Sequence, residues 1–138
     1  MFLDSSVLMA ILLQEPDAED LVRQIMGSKK KPTTSPVVRY EVVVSLARSR
    51  SGGKKITPED TELAAERYEE LLKLLDCTEA MITPNVARQA VQAASTYGKV
   101  SGHPADLNMG DCFSYAMASA YKIPLLYKGN DFAKTDLG

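Results

Sequence analysis

Four carboxylates stand where a folded chain has little structural use for them: Asp4, Glu41, Asp111 and Asp131. Asp4 ends the apolar run Met1-Phe2-Leu3 and is followed by Ser5-Ser6. Glu41 lies inside Val37-Val38-Arg39-Tyr40-Glu41-Val42-Val43-Val44, on a helical face with Val37, Val38, Val44 and Ser45. Asp111 follows Gly110 and leads into the largely apolar Cys112-Phe113-Ser114-Tyr115-Ala116-Met117-Ala118, and Asp131 immediately precedes Phe132. Each has a plain explanation when taken alone. Asp4 and Asp111 suit helix starts, Asp131 suits a polar turn, and Glu41 suits an ion pair with Arg39 or Arg48. Gathered without cations, the four would raise one another's pKa values and cost stability. A divalent cation removes that cost, and hard oxygen ligands are what Mg²⁺ or Mn²⁺ prefers. The chemistry of such a site is phosphate-ester hydrolysis, with one or two ions making a water nucleophilic near neutral pH.

The elements that must position these acids follow from the sequence pattern. Met1-Phe2-Leu3 reads as a buried strand ending at Asp4, with Ser5 or Ser6 capping a short helix, Val7 to Leu13, that stops near Pro16. A second helix covers Asp17 to Met26, and Gly27 to Pro32 breaks it. Thr33-Thr34-Ser35 reads as a second strand, after which Ser35 caps and Pro36 opens a helix, Val37 to Arg50. The segment from Ser49 to Lys55, with Gly52-Gly53, is the most flexible. Thr57-Pro58-Glu59-Asp60 is a strong helix start; the helix runs to about Leu75 and forms a hairpin, about residues 36–75, with the helix before it. Cys77 to Ile82 reads as a third strand, Thr83-Pro84 starts a helix through Tyr97, and a loop leads to a helix from Asp111 to Tyr121. Ile123 to Tyr127 is the last clear strand, and the six residues after Phe132 signal a fifth only weakly.

Alternating strands and helices predict a three-layer α/β/α domain with a central parallel sheet of four or five strands. In such a sheet Asp4 and Asp131 share the carboxyl edge, where open α/β sheets bind ligands. Glu41 and Asp111 reach that edge from the amino-terminal halves of their helices.

The 138 residues suffice for one domain, 1–138, and its 45% hydrophobic and 25% charged residues are ordinary for a globular protein. No apolar stretch approaches a membrane span, and the start lacks a basic n-region, so a cytoplasmic location is expected. Cys77 and Cys112, with only His103 to help them, do not make a zinc site. His103, alone in a Gly/Pro loop, has neither base partner nor nucleophile. The net charge of −2 hides an asymmetry: nine Lys/Arg against one acid between Arg23 and Lys55, then eight acids against two bases from Glu59 to Glu79. Either the basic part faces a polyanion or two solvated helix faces neutralise each other.

Met1-Phe2-Leu3-Asp4-Ser5-Ser6, Tyr40-Glu41-Val42, Gly110-Asp111-Cys112-Phe113-Ser114-Tyr115-Ala116 and Leu125-Leu126-Tyr127-Lys128-Gly129-Asn130-Asp131-Phe132 together resemble the PIN domain, most closely the VapC ribonuclease toxins of bacterial toxin–antitoxin pairs. Each stretch is weak; their order and spacing are specific. The resemblance implies a Mg²⁺- or Mn²⁺-dependent endoribonuclease, usually dimeric and neutralised by a VapB antitoxin, with structured RNA such as tRNA a common substrate. It implies Asp4, Glu41 and Asp111 as the core acids. Many members place a fourth acid three residues before the phenylalanine, where this chain has Gly129, so Asp131 is the substitute and Asn130 a helper. Ser6 and Ser114 are polar supports.

Three other readings compete. A phosphorylatable receiver domain would carry an acidic pair near its start, and no acid neighbours Asp4 before Glu15. A haloacid-dehalogenase-type phosphatase needs a second Asp two residues after the first, where Ser6 stands. An inert interaction module would keep the acids for structure alone and bind no metal. For the nuclease reading, Arg48, Arg50, Lys54 and Lys55, with Lys29-Lys30-Lys31, are the expected RNA contacts. The apolar residues of the hairpin are expected to form a groove for an antitoxin segment, or else to pack as ordinary core.

Overall fold

The computed structural model describes residues 1–138. In chain order the elements are β1 (Phe2–Leu3), α1 (Ser5–Leu12), α2 (Ala18–Met26), β2 (Thr33–Thr34), α3 (Pro36–Arg50), α4 (Pro58–Leu74), β3 (Thr78–Glu79), α5 (Pro84–Tyr97), α6 (Met109–Tyr121) and β4 (Leu125–Leu126). Phe2 and Leu3 are wholly buried because β1 is interior. It pairs in parallel with β2 on one side and β4 on the other, Phe2 opposite both Thr33 and Leu125. The four strands lie in the order β3-β2-β1-β4, so the chain builds outward from β1 and then returns to its other side. That reversal makes the β1/β4 boundary the switch point, and the crevice beyond its carboxyl ends is the place for a ligand. The layers are the expected α/β/α with four strands. Each strand is only two residues long, shorter than the spans suggested by Cys77–Ile82 and Ile123–Tyr127. Backbone pairing stops where the chain turns into caps and crossovers. No helix is long and apolar enough to cross a membrane.

Helix starts are specified locally. Ser35 Oγ accepts from the Val38 N–H and Thr83 Oγ1 from the Val86 N–H, both at 3.2 Å, with Pro36 and Pro84 as first residues. Thr57 and Asp60 form a reciprocal capping box. Each such cap is worth about 1 kcal/mol. For α1 the cap is Asp4 itself, not Ser5 or Ser6: its Oδ2 accepts from the Ser6 N–H at 3.1 Å. An ionised carboxylate is the stronger acceptor, and it stands one residue earlier.

One large core joins the sheet to the helices, from Phe2, Leu3, Val7 and Leu8 through Val38, Val42, Tyr68, Leu71 and Leu72 to Met117 and Phe132. On α3 the core stripe is Val38, Val42 and Leu46, four residues apart. Glu41 stands beside it, half-buried, while Ser45 is exposed. The hairpin of α3 and α4 spends most of its apolar residues inward. Leu46, Ala47 and Ala64 form a small second core with Met9, Leu12 and Val43, leaving a groove of about 220 Å³ between Leu13, Leu46 and Leu63. A larger apolar groove, about 500 Å³, lies instead between α5 and α6, around Val91, Val100, Met109 and Phe113.

Candidate active site

Asp4 leaves β1 at the switch point and is only 4% exposed. Its backbone N–H donates to Leu126 O on β4 at 3.1 Å. Oδ2 is occupied by the Ser6 N–H and by the Ser6 hydroxyl, which donates at 2.7 Å. Oδ1 is buried without a hydrogen-bond partner. So Asp4 is a helix cap on one oxygen and a stranded charge on the other. Ser6 Oγ also accepts from the Lys128 N–H at 3.0 Å, which stitches the ends of β1 and β4 together.

Asp111 sits in the first turn of α6 and is 8% exposed. The helix is opened by Asn108, one turn earlier than an Asp111 start would have it. Asn108 Oδ1 accepts from the Asp111 N–H at 2.9 Å, and Asp111 Oδ2 accepts from the Asn108 N–H at 3.1 Å. Burial pushes the Asp111 carboxyl up to about 6; the Asn108 bond pulls it down, and Asp4, Asp131 and Asp106 push it up again.

Glu41 extends from the second turn of α3 against Gly110, where any Cβ would overlap its carboxylate. Its Oε1 is buried and unpaired. Burial, then Asp4, then Asp111 push its carboxyl up to about 7, with Ser5 opposing. Neither suggested cation partners it. Arg39 turns the other way, pairing with Glu79 at 2.7 Å and with Glu69 and covering the Tyr68 ring. No ion pair engages Arg48, two turns further along α3.

Asp131 is exposed beyond β4 and adds its charge to Asp111. It follows Gly129, whose φ of +94° would strain an acid at that position. Phe132, 1% exposed and packed on Tyr127, anchors the turn. Asn130 is exposed there, and its carbonyl accepts from the Ala133 N–H at 3.2 Å. Ser114, one turn beyond Asp111, is wholly buried with its hydroxyl unpaired. His103 is held away from these acids, its Nδ1 accepting from the Ala105 N–H at 3.0 Å and its ring edge-on to Tyr97.

Asp4, Glu41 and Asp111 thus converge closely enough to perturb one another, with Asp131 on the rim. They are not a closed cage: no three are drawn around one point. Asp4 and Asp111 each commit an oxygen to a helix cap. The donors nevertheless suit a hard divalent ion, since the unpaired Oδ1 and Oε1 are carboxylate oxygens at one edge. The supporting residues Asn108, Gly110 and Lys128 were not singled out by sequence pattern. Asn108-x-x-Asp111 has legible capping-box spacing, whereas the contact of Gly110 with Glu41 has no local signal.

Of the basic residues, Arg48, Lys54 and Lys55 line one surface groove with Val44, Gly53 and Ile56. Gly52 and Gly53, with φ of +66° and +84°, turn the chain back to form it. Arg50 does not join them; it pairs with Asp60 at 3.4 Å. Lys31 pairs with Asp76 at 3.1 Å. Part of the basic and acidic asymmetry is therefore neutralised between neighbouring elements; Lys29, Lys30, Arg48, Lys54 and Lys55 make no ion pair, and the last three gather in this groove.

Residues 1–137 match the family model of the PIN domain. A VapC ribonuclease of Rhizobium meliloti is 41% identical over 99% of both chains. Ribonuclease VapC42 of Mycobacterium tuberculosis is 32% identical over 99% of this chain and 96% of its own. Among solved structures, VapC20 of Mycobacterium tuberculosis, a Sarcin-Ricin loop cleaving toxin, superposes with a TM-score of 0.68 at 17% identity, covering 96% of this chain and 92% of that one. A toxin–antitoxin complex from Klebsiella pneumoniae gives 0.67 at 15% identity, covering 98% and 92%. The fold and these full-length likenesses agree: the chain belongs to the PIN-domain family and, within it, to the VapC ribonucleases.

Proposed function

We propose that residues 1–138 act as one PIN domain, a Mg²⁺- or Mn²⁺-dependent endoribonuclease toxin whose acids are Asp4, Glu41, Asp111 and Asp131. One observation carries this reading: buried carboxylate oxygens of Asp4 and Glu41 have no partner, beside Asp111, with no cation side chain directed at them. Such an arrangement is expensive unless a ligand matches it. The residues that would hold the ion are Asp4, Glu41 and Asp111, with Asp131 at the rim. When bound, a hard divalent ion supplies charge stabilisation at the phosphate and a nucleophilic water near neutral pH.

The chain's own residues supply the rest. The Ser6 hydroxyl and the Asn108 N–H fix one oxygen each of Asp4 and Asp111, leaving the other oxygen of each for the ion. Gly110 lets Glu41 lie against the start of α6. Burial and the neighbouring acids raise the Glu41 carboxyl to about 7, so it would give up its proton to hold a divalent ion. RNA needs positive potential elsewhere. Arg48 lies seven residues beyond Glu41, on the same face and about 10 Å along the helix, and leads to the groove of Lys54 and Lys55. A strand with one phosphate at the acids would pass its neighbours over that groove.

A VapB-type antitoxin and a second copy of the chain are the partners this reading implies, and the cytoplasm, where RNA is found, is its place. The apolar α5–α6 groove is the roomier of the two candidate surfaces for them. The deciding experiment combines calorimetry with RNA cleavage. Mn²⁺ should bind the wild type and raise its Tm, because it binds only the folded state. Asp111→Asn should lose most of that gain and lose cleavage, while RNA binding stays equal or tightens as a repelling charge goes. Cleavage at the wild-type rate by purified Asp111→Asn would put the active site elsewhere.

A further inference from the structure

Lys128 follows β4, and its ammonium is held by Glu15 and, at 2.9 Å, by Asp17, both in the segment joining α1 to α2. Its backbone N–H donates to Ser6 Oγ, which in turn donates to Asp4 Oδ2. The next residues are Gly129, Asn130 and Asp131. Lys128 therefore touches no acid of the site with its side chain, yet it joins the strand end carrying Asp131 to the helix start carrying Asp4. Partly exposed ion pairs add little to stability, so the two-carboxylate grip is poorly explained as a stabilising device. It also removes Lys128 from the RNA-binding charge, because two acids match its one.

We infer that Lys128, through Glu15 and Asp17, is a positioning residue that sets the spacing of Asp131 from Asp4 and so the divalent-ion affinity of the site. This rests on the metal reading above. Simple charge effects give a contrary sign that makes the inference testable. Removing Lys128 takes a cation away from the acids and by Coulomb attraction alone would tighten a divalent ion. Removing the charges of Glu15 and Asp17 would loosen it. A positioning role makes both changes loosen it, because either one frees the turn from α1.

Calorimetric Mn²⁺ titration of the wild type, Lys128→Met, the Glu15→Gln/Asp17→Asn double variant and Lys128→Arg decides the matter, each below its own melting transition. The expected result is a loss of about tenfold in Mn²⁺ affinity for Lys128→Met and for the double variant, the lower end for groups that orient metal ligands. Lys128→Arg should recover most of it, the metal-free Tm should change little, and the salt dependence of RNA binding should match the wild type. Tighter binding by Lys128→Met with weaker binding by the double variant would reduce the effect to bare charge and overturn the inference. Unchanged affinity in both would overturn it as well, as would a shallower salt dependence of RNA binding in Lys128→Met with Mn²⁺ affinity intact, the mark of an RNA contact. Absence of Mn²⁺ binding to the wild type would instead remove the metal reading, and this inference with it.

Discussion

Two clusters of acids lie at the carboxyl edge of the sheet and beside it, and they are treated in opposite ways. Around Tyr68, Glu69 and Glu79 share one guanidinium, that of Arg39, which also covers the ring. At the β1/β4 boundary, Asp4, Glu41 and Asp111 share nothing positive, and two of their oxygens are buried unpaired. The residue types are alike, and both groups are reached from α3, two residues apart in sequence. Matched charge is how a protein keeps acids for structure. Unmatched, partly buried charge persists where something outside the chain completes it. The same contrast runs through the bases: Lys31, Arg39 and Arg50 are paired, while Arg48, Lys54 and Lys55 are left to line a groove.

The largest effect expected from breaking this contrast is on RNA affinity. With Lys54→Ala and Lys55→Ala combined, two counterion-releasing contacts go, and the slope of log affinity against log salt should fall by about 1.4 for a single strand. Filter binding from low to moderate salt measures it. Mn²⁺ affinity should not change, since neither lysine is near the acids. An unaltered slope would show that the unmatched bases serve something other than RNA.

A second effect sharpens the acidic side. The Glu41 and Asp111 carboxyls are raised in the folded protein to about 7 and about 6 from ordinary values of 4.5 and 3.8. The folded state therefore binds protons more tightly than the unfolded chain. Without metal, stability should be greatest below about pH 4 for these two groups and be lost as pH rises through about 7. After discounting for partial solvent contact, the loss is on the order of 1–2 kcal/mol, or several degrees in Tm. Glu41→Gln should flatten the metal-free Tm profile between pH 5 and 8 and raise its alkaline end. A wild-type Tm that rises across that window would mean the acids are matched after all.

The same contrast explains what was legible in sequence. Carboxylates interrupting apolar runs at Asp4, Glu41 and Asp111 are visible because desolvation makes them improbable without a reason. The caps at Ser35, Thr57 and Thr83 are local and so were readable. Which cation meets which acid was not, because Arg39, two residues before Glu41, and Arg48, seven after it, are both within reach of it on a helix; only packing turns Arg39 towards Glu79, forty residues away. The alternation of elements pointed to a parallel sheet, but two-residue strands leave no periodicity from which to read their limits. The two roles of Asp4, cap and stranded charge, have no separate signal in the sequence, because they divide between its oxygens: Ser6 holds Oδ2 through its N–H and its hydroxyl, and Oδ1 is left unpaired.

The smallest effect tests the matched cluster. Arg39→Met removes the guanidinium from Glu69 and Glu79 and from the face of the Tyr68 ring. Both carboxylates remain in contact with water, so the cost should be small, about 1 kcal/mol, a few degrees in Tm. It should be reduced by salt, which screens the two acids from each other. Mn²⁺ affinity should stay as in the wild type, because Arg39 points away from Glu41. The informative failure is a large gain in divalent binding with little loss of stability. That result would show Arg39 restraining the field at the crevice from a distance, and the two acid clusters would then have to be treated as one electrostatic unit.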